Sequence, residues 1–511
     1  MAKYKSYDYS QQVLLPVSLE DQLVPGTLEF ALHTLVDTRM DMSVFEEKYK
    51  NDETGRAAYD PKILLKVVLF AYSRGIVSSR KIERACQENV IFMALACGQK
   101  PDHSTIAAFV SSMKDEILPL FRDVLLVCEE EGLLGGTVFA LDGCKISSNA
   151  SKQWSGTIGD LERTRQKLEK KVKQLLAEQR ETDKREARGS RKGGGGSGDG
   201  GNRQKQIDRL KKKAARIEEW LKKNGPKRGA TGKEIKSNVT DNESAMMATW
   251  HGTLQGYNGQ ALADKKHQVI LHGEAFGNGQ DHGHVPPMLD GAKENLKKIG
   301  LPEDYFKGKL FAADSDYHSR TNMLKCEEEG LDAYIPDIRF RQRDPRFANR
   351  ERHRRPARKK FGLKDFQYKK GTDQYLCPEG KRLSLVCKSS AKDGNIYRIY
   401  HAKVSDCAGC MSRGKCIRVK KGTRKVLMVP IGAHGTNLTK QMIEKVDSEE
   451  GKKIYIQRMA IVEPIFGNLR VQKRLDRFTL RGKTKVNIQW LLYCMVHNIE
   501  KIVNYGYAGA G

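Results

Sequence analysis

Three absences in this 511-residue sequence narrow its class. No apolar run is long enough to span a bilayer, and the polar opening MAKYKSYDYSQQ lacks the apolar core of a secretory signal. Acidic residues are in short supply: Lys plus Arg number 91 against 63 Asp plus Glu, a net charge of +28. A surplus of that size favours a polyanionic partner. A membrane surface is the rival polyanion, but the missing span and signal place the chain in the cytoplasm, associated with the nucleoid if the partner is DNA, and off the membrane. A disulfide framework is also missing. The 11 cysteines are odd in number, and Cys86, Cys97, Cys128 and Cys494 fall inside apolar or helical patterns, which suits a reducing compartment.

The length allows two to four domains. Residues 1–130 read as short helices, an N-terminal helical domain for DNA binding or dimerisation. DPKILLKVVLFAYSRG (60–75) has an apolar face and stops at Gly75; Ser78-Ser79 caps RKIERAC; Ser104 caps TIAAFVSSMKDEI. Residues 131–511 then read as an α/β domain with two inserts. At 155–235, two charged, Leu-spaced segments flank the Gly-rich tract 188–202, the pattern of a helical hairpin. At 339–445, a basic and Cys-containing stretch interrupts the domain. Of residues 339–360, eleven are Arg or Lys against one Asp and one Glu, a density suited to neutralising phosphates. Between the inserts, strand, hairpin (251–276), helix (285–300), strand (309–314), helix (318–330) and strand alternate, an α/β layer order.

Two apolar strands end in a carboxylate. Val138-Phe139-Ala140-Leu141 runs into Asp142, and KLFAAD runs into Asp314. A buried ionised carboxylate is costly unless a cation pairs with it. If the strands are neighbours, both carboxylates sit at one edge, and Glu463 on a late helix can reach them. Pro464 predicts a break or kink in that helix. Hard oxygen ligands of this kind suit Mg2+ or Mn2+, and two such ions would activate a water or a 3′-hydroxyl at a phosphodiester. Asp316, two residues after Asp314, would face the same way on an extended strand and competes as a ligand.

The cysteines at Cys377, Cys407, Cys410 and Cys416 include a Cys-x-x-Cys pair compatible with a structural Zn2+, with Cys387 and His401 as spare ligands. Reduced thiols packing a small insert are the alternative.

The blocks DPKILLKVVLFAYSRGIVSSRKIERACQENVIFMALACGQKPDHSTIAAF, FALDGCKISSNAS, GYNGQALADKKHQVI, FAADSDYHS and RMAIVEPIFGNLRVQKRLDRFTLRGKTKVNIQWLLYCMVHNIEKI come in the order seen in bacterial insertion-sequence transposases of the DDE class, which the chain resembles over nearly its whole length. The resemblance implies an RNase H-like mixed sheet flanked by helices, with catalytic, Mg2+-holding residues Asp142, Asp314 and Glu463. The family usually has Gly where this chain has Asp316. The resemblance also implies DNA contacts from Tyr455, Arg458 and Arg470; here the Arg-to-Glu spacing is one residue longer than usual. Lys473, Arg474, Arg477, Arg481 and, in the basic run, Arg352, Arg354 and Arg355 would grip the backbone. The implied activity is binding of an element's terminal inverted repeats, metal-dependent strand cleavage and transfer to target DNA by a homodimer. A transposase-derived regulator without catalysis, or a plain metal-dependent DNA nuclease, are the alternatives.

Overall fold

The computed structural model describes residues 18–48, 57–189, 199–229, 232–249, 252–347, 349–350, 360–392, 395–417, 422–430 and 438–506. The chain opens with six helices: α1 Leu28–Thr38, α2 Pro61–Ser73, α3 Ser79–Glu88, α4 Val90–Leu95, α5 His103–Ser112 and α6 Ile117–Glu130. Their starts follow from local chemistry. Asp60 accepts from the Lys62 N–H, and Pro61 has no N–H to leave unsatisfied in the first turn. Gly75, at φ +70°, ends that segment as expected. The expected Ser104 cap is replaced by Asp102, whose carboxylate takes the Ser104 and Thr105 N–H groups. A carboxylate two residues upstream reaches both donors at once, which leaves Ser104 inside the first turn.

Strand β1 (Val138–Ser147) follows. Helices α7 (Ile158–Gly189) and α8 (Asp199–Lys223) form the expected hairpin, tied at its base by a bridge between 155–156 and 237–238. Strands β2 Ala245–Thr249, β3 Gly252–Asp264, β4 Ile270–Phe276, β5 Leu310–Ala313 and β6 Asp332–Tyr334 complete the main sheet. Helix α9 (Val285–Lys298) precedes β5 and α10 (Arg320–Glu328) follows it. The order across the sheet is β4-β3-β1-β5-β6, with β2 on the same edge of β3 as β4. β3 runs antiparallel to β1, while β5 runs parallel to β1 and β6 parallel to β5. This mixed α/β arrangement is the RNase H-like core that the resemblance implies.

After the four-residue α11 (Phe340–Arg343), a second sheet comprises β7 Gln367–Lys369, β8 Gln374–Leu376, β9 Arg382–Lys392, β10 Asn395–Ala402 and β11 Val426–Pro430. It has its own small core around Leu383, Tyr400 and Leu427. Short helices α12 (Val404–Ala408) and α13 (Arg413–Cys416) lie between its last two strands. The chain closes with α14 Leu438–Asp447, α15 Glu449–Gly467 and α16 Lys483–Lys501. Pro464 neither breaks nor ends α15. The helix continues to Gly467 and then loosens into a π-helical turn over Asn468–Gln472. Helix α16 is apolar almost all round and buried, and it joins the N-terminal helices to the sheet in one continuous core. Its Trp490 donates to the Gln260 carbonyl, an approach that Gly273 permits because a Cβ there would stand 3.0 Å from the indole nitrogen.

Candidate functional site

Asp142 does not end its strand. β1 runs on to Ser147, because residues 143–147 keep pairing with β3 after the parallel partner β5 has stopped at Ala313. The parallel register pairs Leu141 with Ala313, so Asp142 and Asp314 come next on adjacent strands, about 5 Å apart at the backbone. Sequence distance is no obstacle, since the intervening hairpin insert is closed at its base by the pairing of 155–156 with 237–238.

The two carboxylates share a partly buried setting. Burial pushes Asp314 up to about 6, and the Asp142 charge adds to the push, while the Asp316 N–H and Arg458 pull the other way. Asp142 is also raised, chiefly by burial, although Arg458 and the Gly143 N–H oppose the shift. Arg458 on α15 donates from Nη1 to Asp142 Oδ2 at 2.8 Å, and Gly143 N–H donates to Oδ1 at 2.8 Å. One guanidinium thus offsets part of the charge of two carboxylates. The Nε of Arg458 is buried with no hydrogen-bond partner. A hard-oxygen pair with incomplete neutralisation fits a divalent cation such as Mg2+.

Tyr455 packs edge-on against Phe340 at 5.4 Å, and the Arg458 guanidinium lies 5.9 Å from its ring. Asp142, Asp314, Arg458 and Tyr455 therefore form one neighbourhood. Glu463 does not join it. It is exposed on α15, five residues beyond Arg458 and so about 140° further round the helix, with no hydrogen bond or ion pair among the described residues. Among the described residues, no group of three or more His, Cys, Asp or Glu stands ready to hold a metal ion.

Asp316 is placed differently from the expectation. The strand stops at Ala313, Asp314 caps a 3-10 turn over Ser315–Tyr317 by accepting the Asp316 N–H at 2.8 Å, and Asp316 itself is exposed. The two-residue alternation of an extended strand does not apply across a turn.

Of the basic candidates, Arg470 is exposed and its charge acts on Cys144, two residues past Asp142. Arg474, at φ +53°, lays its side chain over Gly75. Arg477 bridges to Ser147, and Arg481 donates from Nε to the Asn149 carbonyl at 2.7 Å. Both line a polar groove of about 570 Å³ beside the end of β1. Lys473 is a correction: it is fully buried, its ammonium held by Glu500 at 2.5 Å and by Asn468. A cation consumed inside the fold is not presented to phosphate. Arg352, Arg354 and Arg355 lie outside the described residues. Part of the same basic run is neutralised internally, with Arg343 on Asp337 and Asp447, and Arg346 on Asp344.

The thiols Cys377, Cys407, Cys410 and Cys416 are free and line one cavity of about 20 Å³. Burial raises the Cys416 thiol and the Cys407, Cys377 and Cys410 thiols add to the push, but no group that could hold a metal ion is found among the described residues, so the expected Zn2+ is unsupported. Cys387 and His401, the spare ligands, are not among the residues that line that cavity.

A polar network behind the carboxylates was missed from sequence. Asp281 accepts from Asn258 at 2.5 Å and Gln260 at 2.6 Å, and Tyr317 donates to Gln260. Gly143 is required there, because a Cβ would meet Gln260 Nε2 at 2.0 Å. The only sequence signal was the polar loop GQDHGH, which reads as an ordinary turn.

Two family descriptions match the chain. Residues 17–112 match "Transposase domain (DUF772)", and residues 376–503 match "Transposase DDE domain". The second match contains the four thiols, the last three strands of the second sheet, α15 with Glu463, and α16; Asp142 and Asp314 fall outside both. No curated protein matches the chain.

Proposed function

We propose that the chain is a DDE transposase of the insertion-sequence type, a reading that both matches support, and that it binds the terminal inverted repeats of its element, cuts them and joins the freed ends to target DNA. The observation that carries the proposal is the register of β1 on β5, which seats Asp142 beside Asp314 with Arg458 on one of them. Sequence-wide positive charge supports a DNA substrate. A divalent ion bound there would activate the attacking oxygen and stabilise the leaving one.

The chain's own residues have separate tasks in this reading. Asp142 and Asp314 supply hard oxygen donors from a rigid sheet, which fixes their spacing. Arg458 holds Asp142 in one rotamer and offsets part of the charge of the pair. Glu463 is proposed as the third carboxylate: it is exposed, has no partner among the described residues, and sits on the helix that crosses β1 and β5. Tyr455, Arg470, Arg477 and Arg481 are proposed DNA contacts, as is assembly of two copies to bring two ends together. A magnesium-dependent cleavage assay on the element's ends tests the reading. Binding without cleavage would leave a regulator, and cleavage without joining would leave a nuclease.

A further inference from the structure

The helical hairpin α7–α8 is not used by the site described above, and its surface is asymmetric. On α8, Ile207, Leu210 and Ile217 turn inward, at helical spacing, and pack against α7 or the hairpin base, and Ala214 between them is buried. The opposite face carries Lys205, Arg209, Lys212 and Arg216, at i, i+4, i+7 and i+11, with Lys213 beside them. These five form a ridge about 16 Å long. Many other cations of the hairpin are neutralised within it, such as Arg165 on Glu162 and Glu169, Lys222 on Glu218 and Lys223 on Glu219. On the ridge, Lys205, Arg209, Lys212 and Lys213 have no carboxylate partner among the described residues, although Asp208 shares their cleft and is bonded by Gln204.

The ridge is also positioned. It walls a cleft of about 530 Å³ whose floor is Trp154, and the Arg216 guanidinium lies 5.1 Å from the Trp154 ring. Trp154 and Arg216 belong equally to the neighbouring groove of about 570 Å³, which contains Asn149, Lys152, Arg477 and Arg481. That groove begins at Ser147, five strand residues or about 17 Å from Asp142. The hairpin base is fixed to this wall. Val239 N–H donates to the Trp154 carbonyl, and Asn238 donates to the Ser151 carbonyl and the Ser155 hydroxyl.

We propose that α8 is a DNA arm, its basic ridge and the Trp154–Arg216 junction holding the phosphate backbone of a duplex that runs along the groove to the carboxylates. The proposal rests on the DNA-cleaving function inferred above. Charge complementarity selects the occupant: a row of cations with no carboxylate partner among the described residues, at one-turn spacing along a concave cleft, faces one phosphate strand of a duplex.

The test compares the full-length chain with the triple variant Lys205→Glu, Arg209→Glu, Lys212→Glu, and with a control, Lys170→Glu, Lys171→Glu, on the exposed side of α7. Affinity for a generic duplex is measured against salt concentration, and cleavage of element ends is measured separately. The expected result is a loss of at least about tenfold in affinity for the triple variant, with a salt slope shallower by about 3. The control should stay within about twofold, and all three proteins should melt at the same temperature. Unchanged affinity and slope in the triple variant overturns the proposal, as does an equal loss in the control. Binding that prefers anionic phospholipid vesicles to duplex overturns it too. A wild-type chain that binds duplex through the ridge but never cuts element ends would refute the function proposed above while leaving the arm in place.

Discussion

Arg458 and Asp142 are 316 residues apart in the chain and 2.8 Å apart in the fold, a guanidinium laid on a carboxylate that burial alone would leave poorly ionised. Around that contact the chemistry of the site is organised: one charge is partly offset, a second carboxylate stands alongside, and the arginine's buried Nε has no partner.

The first prediction concerns the pair itself. Asp142→Asn and Asp314→Asn keep size and most hydrogen bonds but remove the charge that would hold a divalent ion. Each should lower the rate of end cleavage by at least about a hundredfold while duplex affinity changes little. Asp316→Asn, at an exposed position in the turn, should cleave at the wild-type rate. Parallel binding and cleavage titrations check all three.

A second prediction follows from the raised Asp314 group. Its folded-state value, about 6, lies above the ordinary 3.8. The native chain therefore holds a proton that the unfolded chain has released between roughly pH 4 and 6, so this group lowers stability as pH rises through that window. The shift corresponds to at most about 3 kcal/mol. Asp314→Asn should thus melt higher than wild type at pH 7.5 in the absence of divalent ions, and the gain should vanish near pH 4. Magnesium should restore the wild-type midpoint at pH 7.5 and do less at pH 5. Melting curves at three pH values, with and without magnesium, decide it; a variant less stable at every pH would contradict the assignment.

Lys473 supplies a third. Lys473 is buried while its partner Glu500 keeps some solvent access, so Lys473→Met should destabilise the fold by about 1–3 kcal/mol. Duplex affinity of the folded fraction, and its salt slope, should not change. Denaturant unfolding beside a salt titration separates this from a phosphate contact, which would show the reverse.

A fourth concerns Glu463. It is exposed and has no hydrogen-bond or ion-pair partner among the described residues, so Glu463→Gln should alter stability by less than about 0.5 kcal/mol. If it supplies the third carboxylate when DNA and metal are present, the same variant should lose cleavage as completely as Asp142→Asn. Full cleavage by Glu463→Gln would remove it from the site.

How much of this was legible follows from which interactions are local. The alternation of strand and helix from 251 to 334, the stop at Gly75 and the hairpin insert are written in periodicity and turn residues, and the structure follows them. The neighbourhood of Asp142 and Asp314 required a register, which depends on how a long insert leaves and re-enters the sheet. The Asp314–Asp316 competition was decided by a 3-10 turn that nothing in DSDYH announces. Lys473 looked like one basic residue among many because its partner Glu500 lies 27 positions on, across the packing of α16. Asp281 was invisible because a carboxylate in a polar loop reads as solvated until Asn258 and Gln260 are found against it.

The most direct test is magnesium-dependent cleavage of the element's own ends by wild type and by Asp314→Asn, at protein concentrations that saturate binding for both. The account predicts cleavage that requires the divalent ion in wild type and none in the variant. Cleavage by Asp314→Asn at the wild-type rate, or wild-type cleavage that persists after complete chelation, would contradict it.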